Sequence, residues 1–87
     1  MSFRMKVSDL FRIGEKTVFV GRLVTSEKVI SNAPCAIRVD GIEVGRLRID
    51  GESYTGKPHR DLWTKSPVDL TRETINAHDV WLVSLSA

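Results

Sequence analysis

One cysteine, three prolines and no apolar run near the roughly 20 residues that a membrane-spanning helix needs: each scarcity in this chain closes off a class of protein. The lone thiol, Cys35, excludes an internal disulfide framework and suits a reducing compartment, so a cytoplasmic location is the default expectation. The start, Met1-Ser2-Phe3-Arg4-Met5-Lys6-Val7-Ser8-Asp9, carries cations but no uninterrupted apolar segment, and it does not read as a secretory signal. Charge of one sign is missing too. Thirteen Lys and Arg against eleven Asp and Glu leave a formal +2, which permits a polyanionic partner without demanding one. No Gly-x-x-x-x-Gly-Lys-Ser/Thr loop exists to cradle phosphates, no Gly-x-Ser-x-Gly elbow to present a nucleophile, and no His-x-x-x-His spacing to hold a metal.

What is present is ordinary globular material, 41% apolar and 28% charged, over 87 residues. That length suffices for one modest core without disulfide or metal staples and leaves no room for a second domain. The clearest local signal is the run Ala36-Ile37-Arg38-Val39-Asp40-Gly41-Ile42-Glu43-Val44-Gly45, with apolar and polar residues alternating on both sides of Asp-Gly. A two-residue type I′ loop needs positive φ at both central positions, which Asp tolerates and Gly accepts freely, so the run predicts a tight antiparallel hairpin. Val39 is expected opposite Ile42 and Ile37 opposite Val44, giving one aliphatic face, with Arg38 opposite Glu43 on the other.

Around the hairpin the chain reads as further strands. Residues 1–6 are expected to be loosely ordered, Val7 to Ile13 forms a short strand, and Gly14-Glu15-Lys16 turns it. Thr17 to Thr25 is β-branched and aromatic, apolar on both faces, with its bend expected at Gly21. Beyond Gly45 the apolar residues Leu47 and Ile49 switch parity, so a bulge near that glycine is needed to return them inward. Val20-Gly21-Arg22-Leu23 thus reappears as Val44-Gly45-Arg46-Leu47, two bent strands using one local solution. Pro34 belongs at a strand start or edge. Residues 51–60 are polar and contain Gly and Pro, which suggests a long exposed loop, and Asp61-Leu62-Trp63-Thr64 suggests a short strand. Ser66-Pro67-Val68-Asp69 has the look of a helix start, followed by a pattern good for one or two turns only. Val80 to Leu85 closes as an apolar strand with Trp81, Val83 and Leu85 on one face and Val80 and Leu82 on the other.

The order Leu10-Phe11-Arg12-Ile13-Gly14, Thr17-Val18-Phe19-Val20-Gly21-Arg22, Val29-Ile30, the hairpin, and Asp79-Val80-Trp81-Leu82-Val83 resembles the second β-barrel domain of translation elongation factors, over nearly the whole chain. Lys16 stands where that family prefers glycine, Ser31-Asn32 replaces its usual Gly-Asp turn, and the GTPase domain has no counterpart. The resemblance implies a barrel that docks RNA ends or neighbouring protein domains, and it assigns no site residue.

The chemistry-bearing residues point away from catalysis. Cys35 lies on an expected strand beside Pro34 and reads as a small buried hydrophobe. His59 and His78, with Asp61 and Asp79, fall in separate loops without ligand spacing, so neither metal nor cofactor is expected. Asp50 and Glu52 read as solvated residues flanking a turn. The most interesting surface is Tyr54, Lys57, His59, Arg60, Trp63 and Lys65, where aromatics interleave with cations and single-stranded nucleic acid would find stacking planes and phosphate partners. Against it stands a solvated loop with Trp63 anchored in the core. Arg22, Arg46 and Arg48 would extend a basic strip along one face.

The expected architecture is therefore all-β: a small, mostly antiparallel, closed or partly open β-barrel of about six strands, with one short helix before the last. The expected role is non-catalytic binding of another protein, as an adaptor or an immunity-type inhibitor. Binding of single-stranded nucleic acid or RNA is the alternative, and no membrane partner is expected.

Overall fold

The computed structural model describes residues 3–24, 30–53 and 59–85. Seven strands, β1 (Arg4–Ile13), β2 (Lys16–Leu23), β3 (Ala33–Val39), β4 (Ile42–Ile49), β5 (Gly51–Ser53), β6 (Arg60–Thr64) and β7 (Val80–Ser84), are joined by one helix, α1 (Arg72–Ala77), between β6 and β7. Every pairing is antiparallel and the spatial order is β4-β3-β7-β1-β2-β6-β5. The fold is all-β with a single short helix, as the alternation implies. The additional strand is β5, three residues inside the stretch read as loop.

β4 and β5 occupy opposite ends of that order, yet only Asp50 separates them in the chain. The sheet must therefore curl until its two edges meet around one residue. Across that seam Asp50 N donates to Trp63 O at 2.9 Å and Thr64 Oγ1 donates to Arg48 O at 2.6 Å. The result is a strongly curled antiparallel sheet. Its interior holds Phe3, Met5, Val7, Leu10, Phe19, Ile30, Cys35, Leu47, Ile49, Leu62, Val80 and Leu82, all buried. Phe3 and Met5 are nearly or wholly inaccessible and β1 begins at Arg4, so from Phe3 onward the chain belongs to the core instead of fraying as a loose lead-in.

Both glycine corners are bulged, in complementary ways. Val7 pairs with Gly21 but Asp9 with Val20, leaving Ser8 as the extra residue in β1. A Cβ on Gly21 would stand 2.1 Å from the Lys6 carbonyl oxygen, so the close backbone approach at this corner admits no side chain. At the second corner Ile37 pairs with Gly45 and Arg38 with Glu43, leaving Val44 as the extra residue in β4. The bulge turns Leu47 and Ile49 inward, as their change of parity requires, and both are buried.

The same bulge corrects the expected hairpin register. Val39 faces Ile42 and Arg38 faces Glu43, but Ile37 does not face Val44. Nor do Ile42 and Val44 line the core: they are 68% and 57% exposed. Alternation specifies a face but not what covers it, and among the described residues the first half of β4 is an outer edge with no strand beyond it. The helix start is corrected as well. Residues 67–70 are irregular, held by the Arg12 guanidinium donating to Val68 O at 2.9 Å and Leu70 O at 3.2 Å while Leu70 enters the core. The cap is Thr71, whose hydroxyl accepts from Thr74 N at 3.2 Å, and α1 buries only Ile75.

Candidate nucleic-acid interface

Of the six residues singled out from sequence, four are described, and these four stand in different surroundings. Tyr54 and Lys57 lie outside the described residues. Arg60 turns inward: its Nε pairs with Glu52 Oε2 and its Nη2 donates to Oε1 at 2.7 Å, with only 13% of the side chain exposed. Glu52 is correspondingly no solvated turn residue. Its side chain is fully buried and also accepts the Ile30 backbone N–H at 2.8 Å, so it ties β5 to β6 and to the chain approaching β3. Trp63 sits half-buried on the outer face rather than in the core, its indole over Gly51, where an added Cβ would come within 2.6 Å of the ring. The Lys16 ammonium covers it at 4.2 Å from the ring centroid. Lys65 is exposed, its backbone N–H donating to Asp50 Oδ2 at 2.7 Å. His59 is exposed on a different part of the surface, beside Arg22.

The pairing registers build another constellation on the outer face. Arg38 of β3 pairs with Trp81 of β7, Trp81 with Lys6 of β1, and Lys6 with Arg22 of β2. Four adjacent strands thus carry cation, indole, cation, cation in one row, spanning three inter-strand gaps or about 14 Å. Arg4, two residues before Lys6, lies with its guanidinium carbon 4.8 Å from the Trp81 ring centroid, and the Lys6 ammonium is 6.0 Å from it.

Acid groups hold this row in place, and of its cations they pair with Lys6. Lys6 Nζ donates to Asp79 Oδ1 at 2.6 Å and Trp81 Nε1 donates to both Asp79 oxygens at 3.1 Å. Those two donors, Lys6 first, hold the Asp79 carboxyl below the ordinary aspartate range. Asp79 N in turn donates to Asp40 Oδ1 at 2.9 Å, and His78 Nδ1 contacts Asp40 Oδ2 at 2.7 Å. The backbone bond, then the imidazole, lowers the Asp40 pKa. The hairpin turn is thereby locked to the start of β7. Among the described residues no carboxylate forms an ion pair with Arg4, Arg22 or Arg38. Two residues along β2 from Arg22, the outer row Asp9, Val20, Asp61 separates this basic surface from the Trp63 patch.

Trp81 stands between two depressions. One, of about 320 Å³, is lined by Lys6, Ser8, Arg22, Val24, His59 and Trp81. The other, of about 280 Å³, is lined by Arg4, Arg38, Gly41, Asp79, Trp81 and Val83. Sequence reasoning placed Trp81 on a face opposite Val80 and Leu82, and Arg38 on the polar side of the hairpin. It had no means of knowing that β7 inserts between β3 and β1, the step that brings these residues together.

Little else on the chain invites chemistry. Cys35 is wholly buried, and burial pushes its thiol pKa up to about 12, which keeps it protonated and unreactive at neutral pH. Among the described residues no group of three or more His, Cys, Asp or Glu is placed to hold a metal ion, and no helix is long and apolar enough to cross a membrane. No protein-family model, curated protein or solved structure matches this chain.

Proposed function

We propose that this protein is a non-catalytic binding module whose working surface is the outer sheet face around Trp81, and that its partner there is single-stranded nucleic acid. The observation that carries the reading is the row Arg38, Trp81, Lys6, Arg22, with Arg4 against the indole and three guanidiniums free of carboxylate partners among the described residues. Guanidiniums contact phosphates and a half-exposed indole offers a plane to an unpaired base; a duplex hides its base faces from such a plane. The resemblance to the second barrel of translation elongation factors belongs to the same proposal, since it implies docking rather than catalysis, as does a cytoplasmic location. Fluorescence anisotropy with a labelled mixed-sequence oligonucleotide at low ionic strength tests it. Binding by the native chain, lost in Arg22→Glu and Arg38→Glu, supports the reading, and absence of binding by the native chain ends it.

A protein partner, as adaptor or inhibitor, is supported by a different observation. Ile42 and Val44 project from the free edge of β4, and Val44 borders a groove with Ile37, Pro67, Val68 and Leu70. The Val44 bulge interrupts the regular ladder that strand addition would use, so side-chain contact is the expected mode. Ile42→Thr with Val44→Ser should abolish capture of such a partner while changing stability by no more than about 0.5 kcal/mol.

A further inference from the structure

The two depressions beside Trp81 differ chemically in a way that assigns each a part of one nucleotide. Resting on the nucleic-acid reading above, we propose that the cleft of Lys6, Ser8, Arg22, Val24 and His59 receives an unpaired base stacked on Trp81, that the depression of Arg4 and Arg38 receives the adjoining phosphate, and that the strand is RNA.

The first cleft is lined by Trp81, Val24, Lys6, Ser8, Arg22 and His59 and is mostly apolar. Val24 is 62% exposed and lines this cleft, where it would supply apolar contact to a base. Its position is fixed, because Val24 N donates to Arg4 O at 2.9 Å. The second depression has the opposite character. Arg4 and Arg38 project there with no carboxylate partner among the described residues, and Gly41 keeps the hairpin turn low beside them. A guanidinium pair on one side of an indole and an apolar cleft on the other offer a phosphate and its base neighbouring places.

The choice of RNA rests on acceptors that remain open beside this site. Ser8 Oγ donates its proton to Val20 O at 3.1 Å, so the oxygen it turns to the cleft can only accept. The Asp79 carboxylate lines the second depression, and two side-chain donors do not exhaust its lone pairs. Its charge is countered by Lys6 at 2.6 Å, and it accepts from a hydroxyl while Arg4 and Arg38 take the phosphate. The ribose 2′-hydroxyl is the donor that suits these acceptors, and deoxyribose lacks it.

The test uses the full chain with fluorescein-labelled ten-residue mixed-sequence RNA and DNA of identical sequence, alongside Trp81→Phe, Trp81→Leu, Val24→Ser and Ser8→Ala. RNA should bind several-fold more tightly than DNA. Trp81→Leu should weaken RNA binding by about five- to 150-fold, the loss of one stacked base, while Trp81→Phe retains most of the affinity by keeping a ring. Trp81 fluorescence in a Trp63→Phe background should be quenched on binding, a readout that does not depend on any variant at Trp81 folding. Ser8→Ala should narrow the preference for RNA over DNA. If RNA and DNA bind equally, or if Trp81 is not quenched, this assignment is overturned while the broader reading stands. If neither oligonucleotide binds, both fall.

Discussion

Removing the Glu52 carboxylate should come close to unfolding the protein. Its side chain is entirely buried, and it accepts Arg60 Nε and Nη2 together with the Ile30 backbone N–H. Glu52→Ala removes the carboxylate that the 13%-exposed Arg60 guanidinium and the Ile30 backbone N–H both use. Breaking a buried pair from one side costs about 3–5 kcal/mol, because the surviving charge stays desolvated. A chain of 87 residues at about 0.05–0.15 kcal/mol per residue has about 4–13 kcal/mol in total, so the loss takes about a quarter or more of the stability. Urea denaturation followed by tryptophan fluorescence and circular dichroism measures it as a fall in midpoint at unchanged slope. Glu52→Leu combined with Arg60→Met removes both charges, and this double variant should recover most of the loss, as replacement of buried pairs by apolar side chains of similar volume does. A Glu52→Ala protein within 1 kcal/mol of the parent would refute the reasoning, since it would mean that the buried Glu52 carboxylate contributes little to holding Arg60 and the Ile30 N–H.

Three further outcomes follow from particular atoms. Gly21→Ala should destabilise by at least about 1–3 kcal/mol in the same urea assay, because the new Cβ meets the Lys6 backbone carbonyl rather than a movable side chain, whereas Gly45→Ala, 3.9 Å from the Ile37 side-chain terminus, should be far milder. Cys35 should resist a thiol-reactive dye at pH 8 in the folded protein and react fully in urea, its thiol being buried with a pKa raised to about 12. Asp40 and Asp79 both have folded pKa values below the ordinary 3.8, so what they contribute is complete above that value and is lost as the pH falls through the lower folded one. Thermal melts between pH 5 and pH 2 should show this decline, reduced in Asp40→Asn and in Asp79→Asn.

The sequence carried the fold better than the surface, for a physical reason. Alternation around Asp40-Gly41 dictated the hairpin because side-chain parity and turn chemistry are local: both turn residues have positive φ, at 52° and 84°. The parity switch at Gly45 foretold a bulge for the same reason. Whether a face so defined is covered depends on neighbours distant in the chain, and so Ile42 and Val44, apolar by pattern, came out exposed at an edge. Glu52 looked like a solvated residue because its partner Arg60 lies eight positions away, across a stretch with no periodic signal. The basic and aromatic residues of 54–65 are adjacent in the chain, and adjacency suggested a strip. Strand pairing instead gathers Arg38, Trp81, Lys6 and Arg22, which are scattered over 75 positions and legible only once β7 is known to lie between β3 and β1.

The central claim is that three guanidiniums around Trp81 receive phosphates, and the salt dependence of oligonucleotide affinity tests it most directly. With Arg4, Arg22 and Arg38 each displacing a counterion from a single strand, log K against log salt concentration should fall with a slope of about −2, made shallower by about 0.7 in Arg38→Ala. A slope near zero, or one that Arg38→Ala leaves unchanged, would contradict it.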